Sequence, residues 1–201
     1  MIQGNALTVF FLIAFLASSL VQGALRWINI RHLSRHGGEV PEVFQGEIDG
    51  ETLSRISRYT AESSRFGGLE DLFSDAATLV VLMGGVLPWL LDLLPDWETH
   101  FILTGLGFFG IIALAGGLFS LPFDLYRTFV IERRHGFSTI TVGLWLADLL
   151  KGLVVSAVLM GSLAWAFLAL LRFAPGTWWF WTWLVFSAFQ ILMLWLYPVV
   201  I

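Results

Sequence analysis

Five long apolar runs constrain the fold of this 201-residue chain more than any other feature of its sequence. A helix needs about 20 mostly apolar residues to cross a bilayer, because it rises about 1.5 Å per residue through a hydrocarbon core of roughly 30 Å. The runs lie at residues 6–25, 72–94, 101–121, 141–173 and 177–201. Five separate spans exclude a soluble enzyme, and we predict an all-α, polytopic membrane protein of about five transmembrane helices.

The composition agrees with a membrane protein and excludes several function classes. Hydrophobic residues make up 57% of the chain and charged residues only 13%, and the mean hydropathy is +0.80. The net charge of −4 provides no basic surface for nucleic acid, which we exclude as a partner. The lack of cysteine excludes disulfides, thiolate metal sites and cysteine nucleophiles.

The arginines predict the orientation, because Lys and Arg stay on the cytoplasmic side of short loops. The polar segment 26–71 and the segment after the third run hold nine arginines, whereas the opposite loops hold only Arg172. We therefore expect the N-terminus outside or in the lumen and the C-terminus in the cytoplasm. A cleaved signal peptide is the alternative for the first run, but residues 1–5 lack Lys and Arg and no small-residue cleavage site follows.

The cytoplasmic segment 26–71 contains the pattern of a short amphipathic helix. Leu53, Ile56 and Phe66 recur at helical spacing behind Asp49, a residue type that caps helix starts. Gly67 and Gly68 are expected to end this helix, because glycine accepts the left-handed conformation that closes helices. The helix either lies on the lipid headgroups or docks against a partner domain.

Prolines and glycines predict interruptions and close contacts within the spans. Pro88 is expected to interrupt the second span near its far end, and Pro122 to kink the helix of the third span as it leaves the membrane. The third span is rich in glycine, and Ala113 and Gly117 have the small-residue spacing that permits close helix packing.

The histidines do not form a recognisable metal or catalytic motif. His32 and His36 have the four-residue spacing of H-E-x-x-H, but Leu33 stands where that motif has its glutamate, and no third ligand is nearby. His100 and His135 are isolated, and there is no Ser-His-Asp arrangement or glycine-rich phosphate loop. We therefore expect no self-contained active site in this chain.

Residues 121–151 concentrate ionisable side chains between two membrane spans, where an unpaired charge is costly. Asp148 and Lys151 stand three residues apart, so they either form a stabilising pair or line a water-filled cavity. We expect neighbouring helices to shelter these charges around an aqueous hollow.

The same stretch carries the residues of a known family. Ten positions are candidate family-motif or chamber-lining residues: Pro122, Tyr126, Phe129, Glu132, His135, Gly136, Phe137, Thr141, Asp148 and Lys151. With Glu51-Thr52, Arg58-Tyr59 and Gly84-Gly85 upstream, the chain resembles the membrane region of the type I CAAX prenyl proteases, which are integral-membrane zinc metalloendopeptidases. Ser138 departs from the asparagine, and Ser63 from the basic residue, common at these positions.

The resemblance implies that the five helices form part of the wall of an intramembrane chamber. In the family a cytoplasmic zinc domain follows, in which a zinc-bound water attacks the carbonyl of a peptide substrate. That catalytic domain and its H-E-x-x-H motif are absent from these residues, so we expect no zinc bound to this chain and no peptidase activity from it alone. The alternative is a non-catalytic membrane scaffold or transport protein that retains only this helical region. For either function we expect an integral membrane protein of the bacterial inner membrane or the endoplasmic reticulum.

Overall fold

The computed structural model describes residues 5–37, 49–95 and 97–200, with side chains as far as residue 195, and within these ranges it contains helices and no strand. The elements are α1 (Ala6–His36), α2 (Gly50–Met83), α3 (Val86–Leu93), α4 (Trp97–Tyr126), a π-helix (Arg127–Glu132), α5 (Val142–Phe173) and α6 (Trp178–Val200). The prediction of an all-α polytopic membrane protein is confirmed.

The described helices include four that are long and apolar enough to cross a bilayer. These are α1, α4 with the π-helix, α5 and α6, while α2 and α3 form a pair bent by 60° that counts as a fifth candidate. Five candidates match the five predicted spans in number. Their predicted bounds along each helix stay predictions.

Short polar side chains fix the starts of three helices. The Thr8 amide donates to Asn5 Oδ1 at 2.9 Å, and the Thr52 amide donates to Asp49 Oδ1 at 2.5 Å. Thr141 Oγ1 accepts from the amide of α5 residue 144 at 3.3 Å. Each acceptor satisfies a first-turn N–H that has no partner within its helix. The hydrogen bond from the Thr52 amide lowers the pKa of Asp49 below its ordinary value of 3.8.

The expectation that Gly67 and Gly68 end a short amphipathic helix is wrong, because α2 continues through both glycines to Met83. A Cβ on Gly67 would lie 2.8 Å from Arg26 Nη1, and one on Gly68 would lie 3.3 Å from Arg26 Cδ. The glycines therefore leave room for an arginine of α1 to cross the surface of α2.

The break between α2 and α3 falls at two glycines and precedes the predicted interruption at Pro88. The Gly84 amide donates to the Val80 carbonyl at 2.8 Å, and Gly85 has a φ of +76°. Pro88 lies in the first turn of α3, where a missing N–H costs no intrahelical hydrogen bond. The bend comes from glycine conformation, and proline is accommodated after it.

Pro122 lies inside α4, whose helical assignment continues to Tyr126. The residue with non-helical backbone angles in α4 is His100, with φ −126° and ψ 38°. The backbone break in this helix is therefore near its start, at His100, whereas the sequence predicted a kink at Pro122.

The chain divides into two compact units. The first unit contains α1, α2, and the segment Phe119–Ile140 with the π-helix. Helices α1 and α2 pair in it antiparallel, since Ser19 donates to Asp75, the Arg26 guanidinium donates to the Ser64 carbonyl, and farther along α1 a serine of α2 reaches Gly37. This pairing places polar groups of both helices opposite each other.

The second unit contains Leu90–Leu118, α5 and α6. Gly105 is buried against Leu168, and a Cβ on Gly105 would lie 2.7 Å from Leu168 Cδ1. A Cβ on Gly117 would meet no described atom within 4 Å. The close packing expected of the glycine-rich span therefore occurs at Gly105, whereas the described part of the chain gives no such contact at Gly117.

Candidate functional site

The π-helix Arg127–Glu132 forms the centre of the motif-bearing stretch in the first unit. Ile131 within it is 1% exposed, the most buried apolar side chain described. Single π-helical turns are uncommon and occur frequently at functional sites. The candidate site therefore extends outward from this turn.

The His-Gly-Phe part of the motif ends this helical segment. The Phe137 amide donates to the Glu132 carbonyl at 2.9 Å, and the Gly136 amide donates to the Arg133 carbonyl at 3.2 Å. Gly136 has a φ of +75°. These two bonds around a left-handed glycine form a Schellman motif, which satisfies carbonyls at the end of a helix.

Carboxylates of α2 hold the π-helical segment through charged hydrogen bonds. Glu70 pairs with Arg127, and Glu62 pairs with both Arg134 and His135. The His135 Nε2 lies 2.7 Å from Glu62 Oε2, and the His135 side chain is only 12% exposed. We call these five residues the acid–base latch, because they connect two segments far apart in sequence.

Aromatic contacts reinforce the latch on the same face of α2. The Tyr59 ring lies 4.6 Å from the Phe137 ring and 5.7 Å, edge-on, from the His135 ring. One turn beyond Glu62, Phe66 stacks on Tyr126 at 4.7 Å. Aromatic pairs of this geometry add stability beyond the area they bury. The face of α2 thus alternates aromatic rings and carboxylates against the π-helical segment.

The contacts of the latch are suited to positioning one segment against another. Both of its carboxylates are occupied by cationic side chains or by the His135 ring. The arrangement can hold the π-helical segment rigidly to α2.

The predicted site residues divide between the two units. Those in the first unit are Pro122, Tyr126, Phe129, Glu132, His135, Gly136 and Phe137. The structure brings Tyr126, His135 and Phe137 to α2, whereas Glu132 is half-buried and contributes its backbone carbonyl.

The other three predicted residues belong to the second unit. Thr141 caps α5, and Lys151 Nζ lies 3.6 Å from Asp148 Oδ1. The two side chains therefore form the predicted pair. Asp148 is 56% and Lys151 73% exposed, so the pair lies on an exposed face of α5. Their role in lining a cavity stays a prediction.

Glu62, Glu70 and Phe66 are contact residues whose role in the site the sequence did not reveal. The two glutamates stand eight residues apart, and Arg127 and Arg134 stand seven apart. Taken as α-helix, both spacings are about two turns, so the sequence pattern places each pair on one helix face, although the structure has a π-helix over Arg127–Glu132. Matching these spacings was the available signal for the latch.

The residues described here do not fit a zinc site. Within the described ranges, no group of three or more His, Asp or Glu side chains is close enough to hold a metal ion. The His32 and His36 rings stack at 4.7 Å, and the His36 Nδ1 lies 3.3 Å from the His32 carbonyl oxygen. Zinc requires four ligands, or three and an open position. The Nε2 atom of His135 already contacts the Glu62 carboxylate.

Comparison with known proteins identifies similar sequences along most of the chain. A family model described as CAAX prenyl protease N-terminal, five membrane helices, matches residues 29–201. The CAAX prenyl protease 1 homolog of Oryza sativa subsp. japonica is 28% identical over 169 residues, which cover 81% of this chain and 40% of the relative. CAAX prenyl protease 1 of Saccharomyces cerevisiae is 28% identical over 173 residues, covering 81% and 38%.

A solved structure has the same fold over nearly the whole chain. The crystal structure of S. mikatae Ste24p matches with a TM-score of 0.75 and 25% sequence identity. The match covers 92% of this chain and 44% of that protein. The chain therefore spans about two fifths of the length of the relatives it matches.

Proposed function

Because this chain belongs to the family of CAAX prenyl protease N-terminal regions with five membrane helices, we propose that it forms part of the wall of an intramembrane chamber. In this proposal the chain positions a peptide substrate for a zinc site that lies outside these 201 residues. The observation that carries the proposal is the family match over residues 29–201. The substrate class comes from the names of the relatives, which are prenyl proteases.

The acid–base latch supports a positioning role. Its residues tie the motif-bearing segment to α2, and the described residues supply no ligand set for zinc. A segment that must hold a peptide in register needs side chains locked by packing and by hydrogen bonds. The latch meets this requirement without taking part in the chemical step.

The proposed orientation has the C-terminal end of α6 on the cytoplasmic side, as the arginine distribution predicts. The zinc domain of the whole enzyme would then face the cytoplasm. Zinc, when bound there, would activate the water that attacks the peptide carbonyl. The latch residues would act only by fixing the helices around that site.

A chimera tests this function directly. The region of the S. cerevisiae relative that matches this chain is replaced by the corresponding residues of this chain, and cleavage of a prenylated CAAX peptide is measured in membranes. We expect cleavage that a zinc chelator abolishes, because the substituted helices supply the same wall. The unaltered relative is the positive control, and the relative without its N-terminal region is the negative control.

Failure of a well-folded chimera would favour the scaffold alternative. Folding is checked independently by extraction in mild detergent and by a single symmetric peak in size-exclusion chromatography. A chimera that passes both checks and cleaves no peptide would contradict the proposed role.

A further inference from the structure

An open groove of about 460 Å³ runs beside the α1–α2 pair, within the first unit. Its apolar lining includes Trp27 and Ile30 of α1 and Leu69 and Leu72 of α2. Leu69 and Leu72 are 53% and 66% exposed. The groove lies on a different side of α2 from the acid–base latch, so the positioning role proposed above does not use it.

The charged side chains along this groove are unequally paired. Arg26 is held by Asp71 and by the Ser64 carbonyl, and Asp75 accepts a hydrogen bond from Ser19. Arg65 also lines the groove and is exposed, but no carboxylate in the described part of the chain forms an ion pair with it. Arg65 therefore brings to the groove a positive charge that no described carboxylate pairs with, while the Asp75 carboxylate, which lies farther along α2 beyond Leu72, has the uncharged Ser19 hydroxyl as its hydrogen-bond donor.

Two further arginines extend this positive charge. The Arg31 guanidinium lies over the Trp27 ring, 5.2 Å from its centroid, and a cation stacked on a ring keeps its charge and its outward N–H donors. Arg58 stands seven residues before Arg65, two turns away on the same face of α2. Neither forms an ion pair with a described carboxylate.

The order of these residues along the helices matches the depth profile of a phospholipid. Arg26 directly follows the first apolar run, so Arg65 beside it lies near the predicted membrane boundary. Leu69 and Leu72 continue along α2 toward the second apolar run. Positive charge at headgroup depth and exposed leucines deeper are complementary to an anionic lipid.

We propose that this groove binds one anionic phospholipid, with the headgroup phosphate at Arg65 and an acyl chain along Leu69 and Leu72. Arg31 and Arg58 supply neighbouring positive charge. The charge complementarity favours this occupant over a zwitterionic lipid, whose ammonium group would gain nothing from the added arginines.

Native mass spectrometry of the intact chain in mild detergent tests the proposal with phosphatidylglycerol and phosphatidylcholine of identical acyl chains. We expect preferential retention of phosphatidylglycerol and a loss of affinity of about fivefold in Arg65→Gln, with a larger loss in the Arg65→Gln and Arg31→Gln double variant. Arg65→Lys should bind nearly as well as the wild type. Arg133→Gln is the matched control, because Arg133 is exposed and unpaired among the described residues but lies outside the groove.

Three results would overturn the proposal. Equal losses in Arg65→Gln and Arg133→Gln would reduce the effect to general surface charge. Equal retention of phosphatidylcholine would remove the requirement for an anionic lipid, and displacement by inorganic phosphate at the lipid's concentration would indicate a site for free anions. Melting temperatures within a few degrees of wild type confirm that the variants remain folded.

Discussion

At the scale of single residues, the motif His135-Gly136-Phe137 combines two structural tasks. Gly136 supplies the left-handed backbone that ends the helical segment, with a φ of +75°. His135 and Phe137 on either side pack against Tyr59 of α2. The chain reversal at Gly136 is what lets both rings reach the same tyrosine.

Replacing Gly136 by alanine tests this explanation. We expect Gly136→Ala to lower the stability by roughly 1–2 kcal/mol, because a Cβ is strained in the left-handed region. Gly136→Asn should lose less, since asparagine tolerates that region better than alanine. The melting temperature of the detergent-solubilised protein provides the measurement. If the alanine variant has the same melting temperature as the wild type, Gly136 is not needed for its left-handed conformation.

At the scale of secondary-structure elements, α2 is the central element of the first unit. One of its faces pairs with α1 through Ser64, Asp71 and Asp75. Another face carries Glu62 and Glu70, which hold the π-helical segment. Substitutions on the first face should therefore weaken the contact with α1, and substitutions on the second face should weaken the contact with the π-helical segment.

The substitution Glu62→Gln tests the second of these faces. The variant removes the negative charge shared by Arg134 and His135, so we expect a destabilisation of about 1 kcal/mol, limited by the solvent exposure of Arg134. Hydrogen exchange of residues 127–137 should accelerate while that of α1 stays unchanged. Glu51→Gln, also on α2 but without an ion pair among the described residues, is the control. Unchanged exchange in residues 127–137 would contradict the latch.

The start of α2 was predictable from the sequence, whereas its end and its pairings were not. Asp49 caps α2 as expected, because an N-cap depends on residues only three positions away. The prediction that a helix ends at Gly67 was wrong, because a glycine can serve either a left-handed turn or the close approach of another side chain. Arg26, about 40 residues earlier, decides between the two in the folded protein.

At the scale of the whole molecule, the number of candidate spans and the family could be read from the sequence. Apolar length is a local property, so the five runs are recognisable from the order of residues alone. The matched residues around Glu132 were sufficient to indicate the family that the comparisons identify. The acid–base latch could not be recognised in this way, because it joins residues 57 to 73 positions apart.

Thiol labelling tests the aqueous hollow that the charges of residues 121–151 predict. Single cysteines at Glu132, Asp148 and Lys151 should react with a polar, membrane-impermeant thiol reagent in open membrane fragments. Val158→Cys and Leu163→Cys are controls on α5, with 64% and 8% exposure in the structure. We expect at least tenfold faster labelling at the three polar positions than at the controls, because a thiol in hydrocarbon is rarely ionised. Rates at all three that equal those of the controls would eliminate the hollow.

The long sequence separations across the latch have a consequence for biosynthesis. The ribosome makes Glu70 before Arg127 and Glu62 before Arg134, with 57 and 72 positions between partners. The carboxylates of α2 therefore lack these partners while the intervening helices are still being translated and inserted. Completion of the first unit must wait until the segment after α4 leaves the ribosome.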